Sequence, residues 1–471
     1  MSLDLEHTTL LGHHDARLGN SNNQGPVGDI YCRFNPRQRR SILSLVAFAG
    51  LITMVVWKSF VPSMRQVAKD LDSDEATVSL AVSLSVFATA ISAVFWASQS
   101  SVYGRRPVIL WGIPFFCAGS VGVARSTSIA SLFFWRCIQA FGCAGRLPLG
   151  YGVVGDIYRL EERGGAMGMF SGVVLLGTMA APILGGLFTK YASWRDLHLV
   201  IAAWGCIEFI IIYLSLPETN HSHSVYNKDR VPARPRFLFV NPLKSLRLLR
   251  SPNLLLANIV AGIGMVTEFI LLVPIAHTLG KQYNITSEAV IGACFLPHTI
   301  GNLLGAPAAG RLSDLALQKW RRKREGEWVA EDRLRAVYIG GLILVPLSLV
   351  GFGLVTTYVE GTLGLVISLM LLFINGFGLD FVVLIVNSYS IDLLHSQSAE
   401  IMAAGNAFRG VISAIGISLV LPSVEYLGGL TTNVITALIV LAGYGLIHLI
   451  ITFGDHMRAS IDVGYTTSGN F

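Results

Sequence analysis

Charge is what this sequence has least of. Only 14% of its 471 residues are Asp, Glu, Lys or Arg, while 52% are hydrophobic and the mean hydropathy is +0.58. A soluble domain carries about 25% charged residues to cover its exterior, so this shortage excludes a water-covered globule and points to a chain that faces lipid. Cysteine is sparse too: Cys32, Cys117, Cys137, Cys143, Cys206 and Cys294 are scattered and form no C-x-x-C pair. That excludes a disulfide framework and a zinc site, and no metal or cofactor is expected. P-loop, H-E-x-x-H and G-x-S-x-G motifs are missing, which removes ATP-driven transport within the chain and the common hydrolase chemistries. Gly150-Tyr-Gly152-Val-Val-Gly155 fits G-x-G-x-x-G but closes an apolar run instead of following a strand, so it reads as helix packing. No alternating ten-residue pattern suggests a transmembrane barrel.

What the chain has in abundance is apolar runs near 20 residues, the length that crosses a hydrocarbon core about 30 Å thick. Twelve are expected, near 41–61, 77–97, 107–124, 131–152, 165–188, 197–216, 253–276, 288–309, 336–357, 362–386, 400–424 and 431–453. The fold class is therefore an all-α integral membrane protein of twelve transmembrane helices. Residues 1–40 are polar, lack the apolar region of a signal peptide, and read as a disordered cytoplasmic tail. A proline- and arginine-containing stretch over 217–252 reads as a cytoplasmic linker between six-helix bundles at 41–216 and 253–453, and 454–471 as a second cytoplasmic tail. With both termini inside, the cytoplasmic segments carry 25 Lys and Arg and the outer loops 6. That asymmetry sets the orientation by the positive-inside rule. It also accounts for the basic balance, and for the run Arg321–Arg324, without nucleic acid. Two sequons follow the same topology: Asn284 falls outside, where a glycan is expected, and Asn220 falls inside, where none is.

Motifs repeat with the bundles. Tyr103-Gly104-Arg105-Arg106-Pro107 closes the second span, and Gly310-Arg311-Leu312-Ser313-Asp314 closes the eighth. Internal duplication of this kind is common in secondary transporters. Here the chain resembles the major facilitator superfamily, whose second loop follows G-x-x-x-D-R-x-G-R-R. The first copy keeps Gly104, Arg105 and Arg106 but has Ser101 at the aspartate and Ala97 at the leading glycine. The second keeps Gly310 and Asp314. Arg136, Gln139 and Gly142 are similar to the family's R-x-x-Q-x-x-G. Gly155-Asp156 with Arg163, the fifth-span residues Gly177, Pro182 and Gly186, Trp194-Arg195 and Leu216-Pro217-Glu218-Thr219 resemble the fungal twelve-span drug:proton antiporters. The match lies near their quinidine-, dityrosine- and organic-acid-exporting branch and covers roughly residues 36–455. The resemblance implies two six-helix pseudo-repeats around a central cavity, and a cytoplasmic ion pair that latches the halves together. The glycines of span five suit either close static packing or the rocking of one helix on another.

Charges inside the membrane are functional candidates, since each costs about 2.5–3.5 kcal/mol on insertion scales. They are Lys58, Arg136, Arg146, Glu208, Glu268, Asp380 and Arg409, with His298 titratable nearby. The resemblance puts spans one, four, seven and ten on the cavity, and so Lys58, Arg146, Glu268 and Asp380 with them. Glu268, Asp380 and His298 are candidates for carrying a coupling proton, or else form static ion pairs. Arg146, Arg409 and Lys58, with Asn375 and Asn406, are candidates for binding substrate. The arginines are equally open to internal neutralisation, Arg146 by Asp156 or Arg409 by Asp380. The reading is a monomeric, proton-coupled exporter of a small organic molecule by alternating access, with an anionic organic acid such as itaconate preferred. A multidrug or polyamine antiporter and a non-transporting membrane sensor are the alternatives. The plasma membrane is the expected location, with a vacuolar or other internal membrane the alternative.

Overall fold

The structure, a computed structural model, describes residues 33–158, 160–220, 242–327, 329–394 and 398–460. Most of the tail read over 1–40, of the linker over 217–252 and of the tail over 454–471 lies outside the described residues, as does the side chain of Arg163. The described residues contain helices and no strand.

The first half is built from α1 (Pro36–Lys58), α2 (Glu75–Tyr103), α3 (Arg105–Ala124), α4 (Ile129–Cys143), α5 (Arg146–Ile157), α6 (Leu160–Tyr191) and α7 (Trp194–Ser215). The second half contains α8 (Pro252–Leu272), α9 (Leu296–Lys323), α10 (Val345–Tyr358), α11 (Gly361–Leu393), α12 (Ser398–Leu427) and α13 (Gly429–Ser460). Eleven segments among the described residues are long and apolar enough to cross a bilayer. The twelfth crossing is α4 with α5, in two pieces that are each too short alone. Its break falls at Ala144 and Gly145 because Pro148 has no N–H to give the carbonyl four residues back.

Several helices outrun the apolar spans. α9 continues through the basic run to Lys323, so Asp314 lies on a helix and not in the expected loop, and α2 reaches Tyr103. A helix satisfies its own backbone in water as well as in lipid, so it need not stop at the hydrocarbon edge. α2 ends at Gly104, whose φ of 95° turns the chain sharply into α3. At the opposite ends the loops start new helices with side-chain caps. Asp74 accepts from the Thr77 amide at 2.8 Å, and Ser128 accepts from Ser131 at 3.3 Å.

An even number of crossings returns both ends of the chain to one face, the terminus face; the other is the far face. The apolar core is not symmetric between them. One cluster joins Phe60, Met64, Val67, Val78 and Val82 of the first half to Leu271, Leu272, Ile275 and Phe295 of the second, all toward the far face. A second cluster, Ile42, Leu43, Trp96, Val108, Val154 and Leu216, holds only first-half residues and lies toward the terminus face. The apolar packing between the halves belongs to the first cluster alone, and it is joined at mid-span by α2 against α12, where a Cβ on Gly410 would stand 2.6 Å from Ala90.

Candidate functional site: a cavity on the seam between the halves

The loop between α1 and α2 brings the end of the first crossing against the seventh. There Lys58, at the end of α1, forms an ion pair with Glu268 of α8, a partner 210 residues away. The two side chains keep 20% and 10% of their exposure, so the pair borders open space. That space is a cavity of about 50 Å³, lined from the first half by Trp57, Lys58, Val82 and Arg136 and from the second by Glu268 and Phe295. Apart from Ser85 the rest of its wall is apolar, so charges there act through a medium of low dielectric.

Behind Glu268 the polar surface continues into the second half. His298 of α9 is fully buried, with Nδ1 4.0 Å from Glu268. Asn375 of α11 donates to Ser348 Oγ at 3.0 Å, and its own carbonyl oxygen is buried beside His298. Asp380, also on α11, lies against Gly305 with Oδ2 buried and unpartnered.

The embedded cations fall into two kinds. Arg146 pairs with Glu208 of α7 at 2.9 Å, with side chains 2% and 1% exposed, and its guanidinium lies 4.2 Å from the Phe116 ring centroid. Neither neutralisation foreseen from the sequence forms: Asp156 takes Arg105 instead of Arg146, and Arg409 does not meet Asp380. Arg409 donates to the side-chain oxygens of Asn387, at 2.8 Å, and Asn406. Arg136 donates to Gln139 Oε1 at 2.9 Å and lies 4.5 Å from the centre of the Phe60 ring. Gln139 in turn donates to Ser120 Oγ at 2.9 Å. Gly142, one turn on, packs so closely on α3 that a Cβ would stand 2.2 Å from the Phe116 amide nitrogen.

At the far face further contacts close the seam. Glu75 and His277 lie 2.8 Å apart across it, and Ser83 donates to the Ala414 carbonyl at 2.6 Å. Gly186 of α6 meets the second half so closely that a Cβ would sit 2.4 Å from the Glu288 carbonyl oxygen. The Pro182 carbonyl similarly faces Gly292. Gly177, two turns earlier, backs on the Leu51 carbonyl of α1. By contrast, Gly165, Gly168 and Gly172, in the terminus-side half of α6, meet nothing within 4 Å.

At the terminus face the motif residues form two clusters, each inside its own half. Arg105 pairs with Asp156 at 3.1 Å, and Arg106 donates to the Tyr213 carbonyl at 2.6 Å. The Glu218 carboxylate accepts the amides of Arg105 and Arg106 at 2.9 and 3.1 Å, capping α3. In the second half Arg333 holds Asp314 and Asp392, both at 2.8 Å. Gly310 meets only Leu384, 4.0 Å from a would-be Cβ. The resemblance implied an ion pair latching the halves at this face; among the described residues each cluster instead closes on itself. Glu218, Arg333 and Asp392 were missed as site residues, although superposing the two sequence repeats would have drawn attention to the last two. Asn284 stands exposed in the loop after the seventh crossing with φ of 52°, a conformation that Asn tolerates.

The family model described as Major Facilitator Superfamily matches residues 46–417. The MFS-type transporter clz19 of Cochliobolus lunatus is 25% identical over 452 residues, covering 88% of this chain and 84% of its own. Citrate exporter 1 of Aspergillus niger is 29% identical over 209 residues, 44% of this chain and 39% of its own length. Among solved structures, a bacterial homologue of the human lysosomal transporter Spinster, in an inward-facing and unoccupied conformation, superposes with a TM-score of 0.66 at 13% identity. That match covers 90% of this chain and 99% of the other.

Proposed function

This chain belongs to the Major Facilitator Superfamily, and on that premise we propose that it is a proton-coupled antiporter exporting a small organic metabolite by alternating access. It is a multi-pass membrane transporter and not an enzyme. The preferred cargo is an organic acid of the itaconate class. A relative that carries the name citrate exporter supports that preference, as do a cavity wall with two cations against one carboxylate.

The observation that carries the reading is the Lys58–Glu268 pair. It ties the two halves together inside the membrane, and it lines the cavity where cargo would sit. A carboxylate held by a lysine is ionised; once protonated it loses the attraction that joins the halves at the far face. A proton arriving at Glu268 from the far side therefore weakens one closure, and losing that proton to the terminus side restores it. His298, and Asp380 deeper in the second half, extend the polar surface along which the proton travels. Arg409, with Asn387 and Asn406, is a further candidate contact for an anionic cargo.

The bias of 25 Lys and Arg to 6 supports a cytoplasmic terminus face and an outward far face, in the plasma membrane. The conformation described then faces inward. Core packing and the closest contacts join the halves toward the far face, while the terminus-side glycines of α6 meet open space.

The test is transport by the purified protein in liposomes under an imposed pH gradient. Glu268→Gln is expected to abolish gradient-driven accumulation while substrate exchange without a gradient persists. Gradient-driven transport at the wild-type rate in that variant removes Glu268 from the coupling.

A further inference from the structure

Of the cations within the membrane, Arg146 and Lys58 each have a carboxylate in contact. Arg136 does not. Its guanidinium is 1% exposed, its polar neighbours are the neutral Gln139 and the Phe60 ring, and its Nε is buried without a hydrogen-bond partner. No ion pair to it forms among the described residues. A buried cation without a counter-charge is costly, and here it borders a cavity. Trp57 lines the same wall, its buried indole N–H beside the Cys143 thiol. The sequence placed Arg136 in the R-x-x-Q-x-x-G motif and among the charges inside the membrane.

The geometry points to Arg136 as a carboxylate-binding subsite: the acid group of an organic anion docks on it and competes with Glu268 for Lys58. This rests on the reading above that the seam cavity is the transport site. The cavity, about 50 Å³ in this conformation, has room for roughly one carboxylate or a pair of waters. The rest of a cargo molecule extends toward the terminus face. Guanidinium is suited to this task because its planar fork donates two parallel hydrogen bonds to a carboxylate. The wall residues Val82, Leu272 and Phe295 are apolar and contribute no competing acceptor. Ser85 also lines the wall, its hydroxyl donating to the Ala81 carbonyl, and the one carboxylate there, Glu268, is already engaged by Lys58. When the anion draws Lys58 away, the ion pair joining the halves is lost and the far face is released to open. Cargo binding and gate opening are then one exchange of partners, and Arg136 sets the charge of the cargo.

The experiment uses the full-length protein in lipid nanodiscs, with itaconate, citrate and benzoate as acid probes, dimethyl itaconate as the uncharged control and ethidium as the cationic control. The acids are expected to bind and raise the unfolding temperature of the wild type, while dimethyl itaconate does not. Arg136→Gln is expected to weaken acid binding at least tenfold. Arg136→Lys, which keeps the charge and loses the fork, weakens it severalfold. Glu268→Gln, which frees Lys58, tightens it severalfold. If Arg136→Gln does not fold, the lysine variant and the ester comparison carry the test. Equal binding of ester and acid, undiminished acid binding in either Arg136 variant, or binding of ethidium alone overturns the subsite. Gradient-driven export of ethidium with no acid binding overturns the subsite and leaves the antiporter standing. Acid binding that depends on Arg136, in a protein that no pH gradient drives, overturns the antiporter and leaves the subsite.

Discussion

The Arg146–Glu208 and Lys58–Glu268 pairs lie in the same hydrophobic slab and differ in what surrounds them. The first joins α5 to α7 inside one half, with both side chains nearly inaccessible. The second joins the two halves and borders a cavity. Breaking the first leaves a cation in a place that never opens. Breaking the second exposes both groups to the seam cavity, the proposed transport site. Position relative to the seam, more than depth in the membrane, separates the charge read as structural from the pair proposed to work in transport. The motif clusters fit the same division: among the described residues the Arg105–Asp156 and Asp314–Arg333–Asp392 contacts each lie within one half.

The comparison breaks most visibly at its structural member. Glu208→Gln should cost about 3–5 kcal/mol by stranding the buried Arg146 charge, seen as loss of monodisperse protein on size-exclusion chromatography. Glu268→Gln should purify as the wild type does. Equal loss in both would erase the distinction.

Next in size is the far-face closure. Gly186→Leu puts a side chain where a Cβ already stands 2.4 Å from the Glu288 carbonyl oxygen. Transport should fall at least tenfold while the protein still folds, and cysteines placed in the seam should become reachable from the far side. Unchanged transport would show that the closure seen here is not on the cycle.

Bracing within a half should matter less. Arg333→Ala removes the cation that bridges Asp314 and Asp392, a loss of about 1 kcal/mol for a partly exposed pair, measurable as a lower unfolding temperature with transport retained at a reduced rate. Glu75→Gln removes a far-face contact whose partner His277 is 39% exposed. Its effect should stay within about 1 kcal/mol and change the transport rate less than twofold. A larger loss would make this pair, and not Lys58–Glu268, the main lock.

The smallest effect concerns a helix cap. The Thr77 hydroxyl and amide hold the Asp74 carboxyl below the usual carboxylate range. A depressed pKa adds stability that is present at neutral pH and lost as the pH falls through the lowered value. Asp74→Ala should therefore lower the unfolding temperature slightly at pH 7, with the difference from wild type shrinking as the medium is acidified.

Much of the architecture was legible because lipid imposes a one-dimensional code. Apolar runs near 20 residues gave the crossings, and the scarcity of internal charge gave a short list of candidates. The list held all the groups that line the cavity with charge: Lys58, Glu268 and Arg136. Their pairing was not legible. Asp156 follows Arg146 by ten residues, about 15 Å along a helix, beyond side-chain reach, so neutralisation within that span was never geometrically open. Glu208 lies on the sixth span, outside the four that the resemblance puts on the cavity. Yet α7 packs against the first-half core and turns that one carboxylate inward, fully buried beside Arg146. Arg136 was grouped with Gln139 and Gly142 as a motif residue; those two pack, onto Ser120 and Phe116, while Arg136 lines the cavity.

By itself the sequence determined that the chain crosses lipid twelve times, where each crossing lies, and which few groups keep a charge there. It could do so because hydrocarbon penalises exposed backbone and charge residue by residue, a cost that depends on local composition. The fold alone decided which charges cancel, which meet across the seam, and which is left facing a cavity without a counter-charge among the described residues. Those outcomes depend on how helices far apart in the chain are rotated and pressed together, and a difference of one residue in helical phase turns a side chain through 100°.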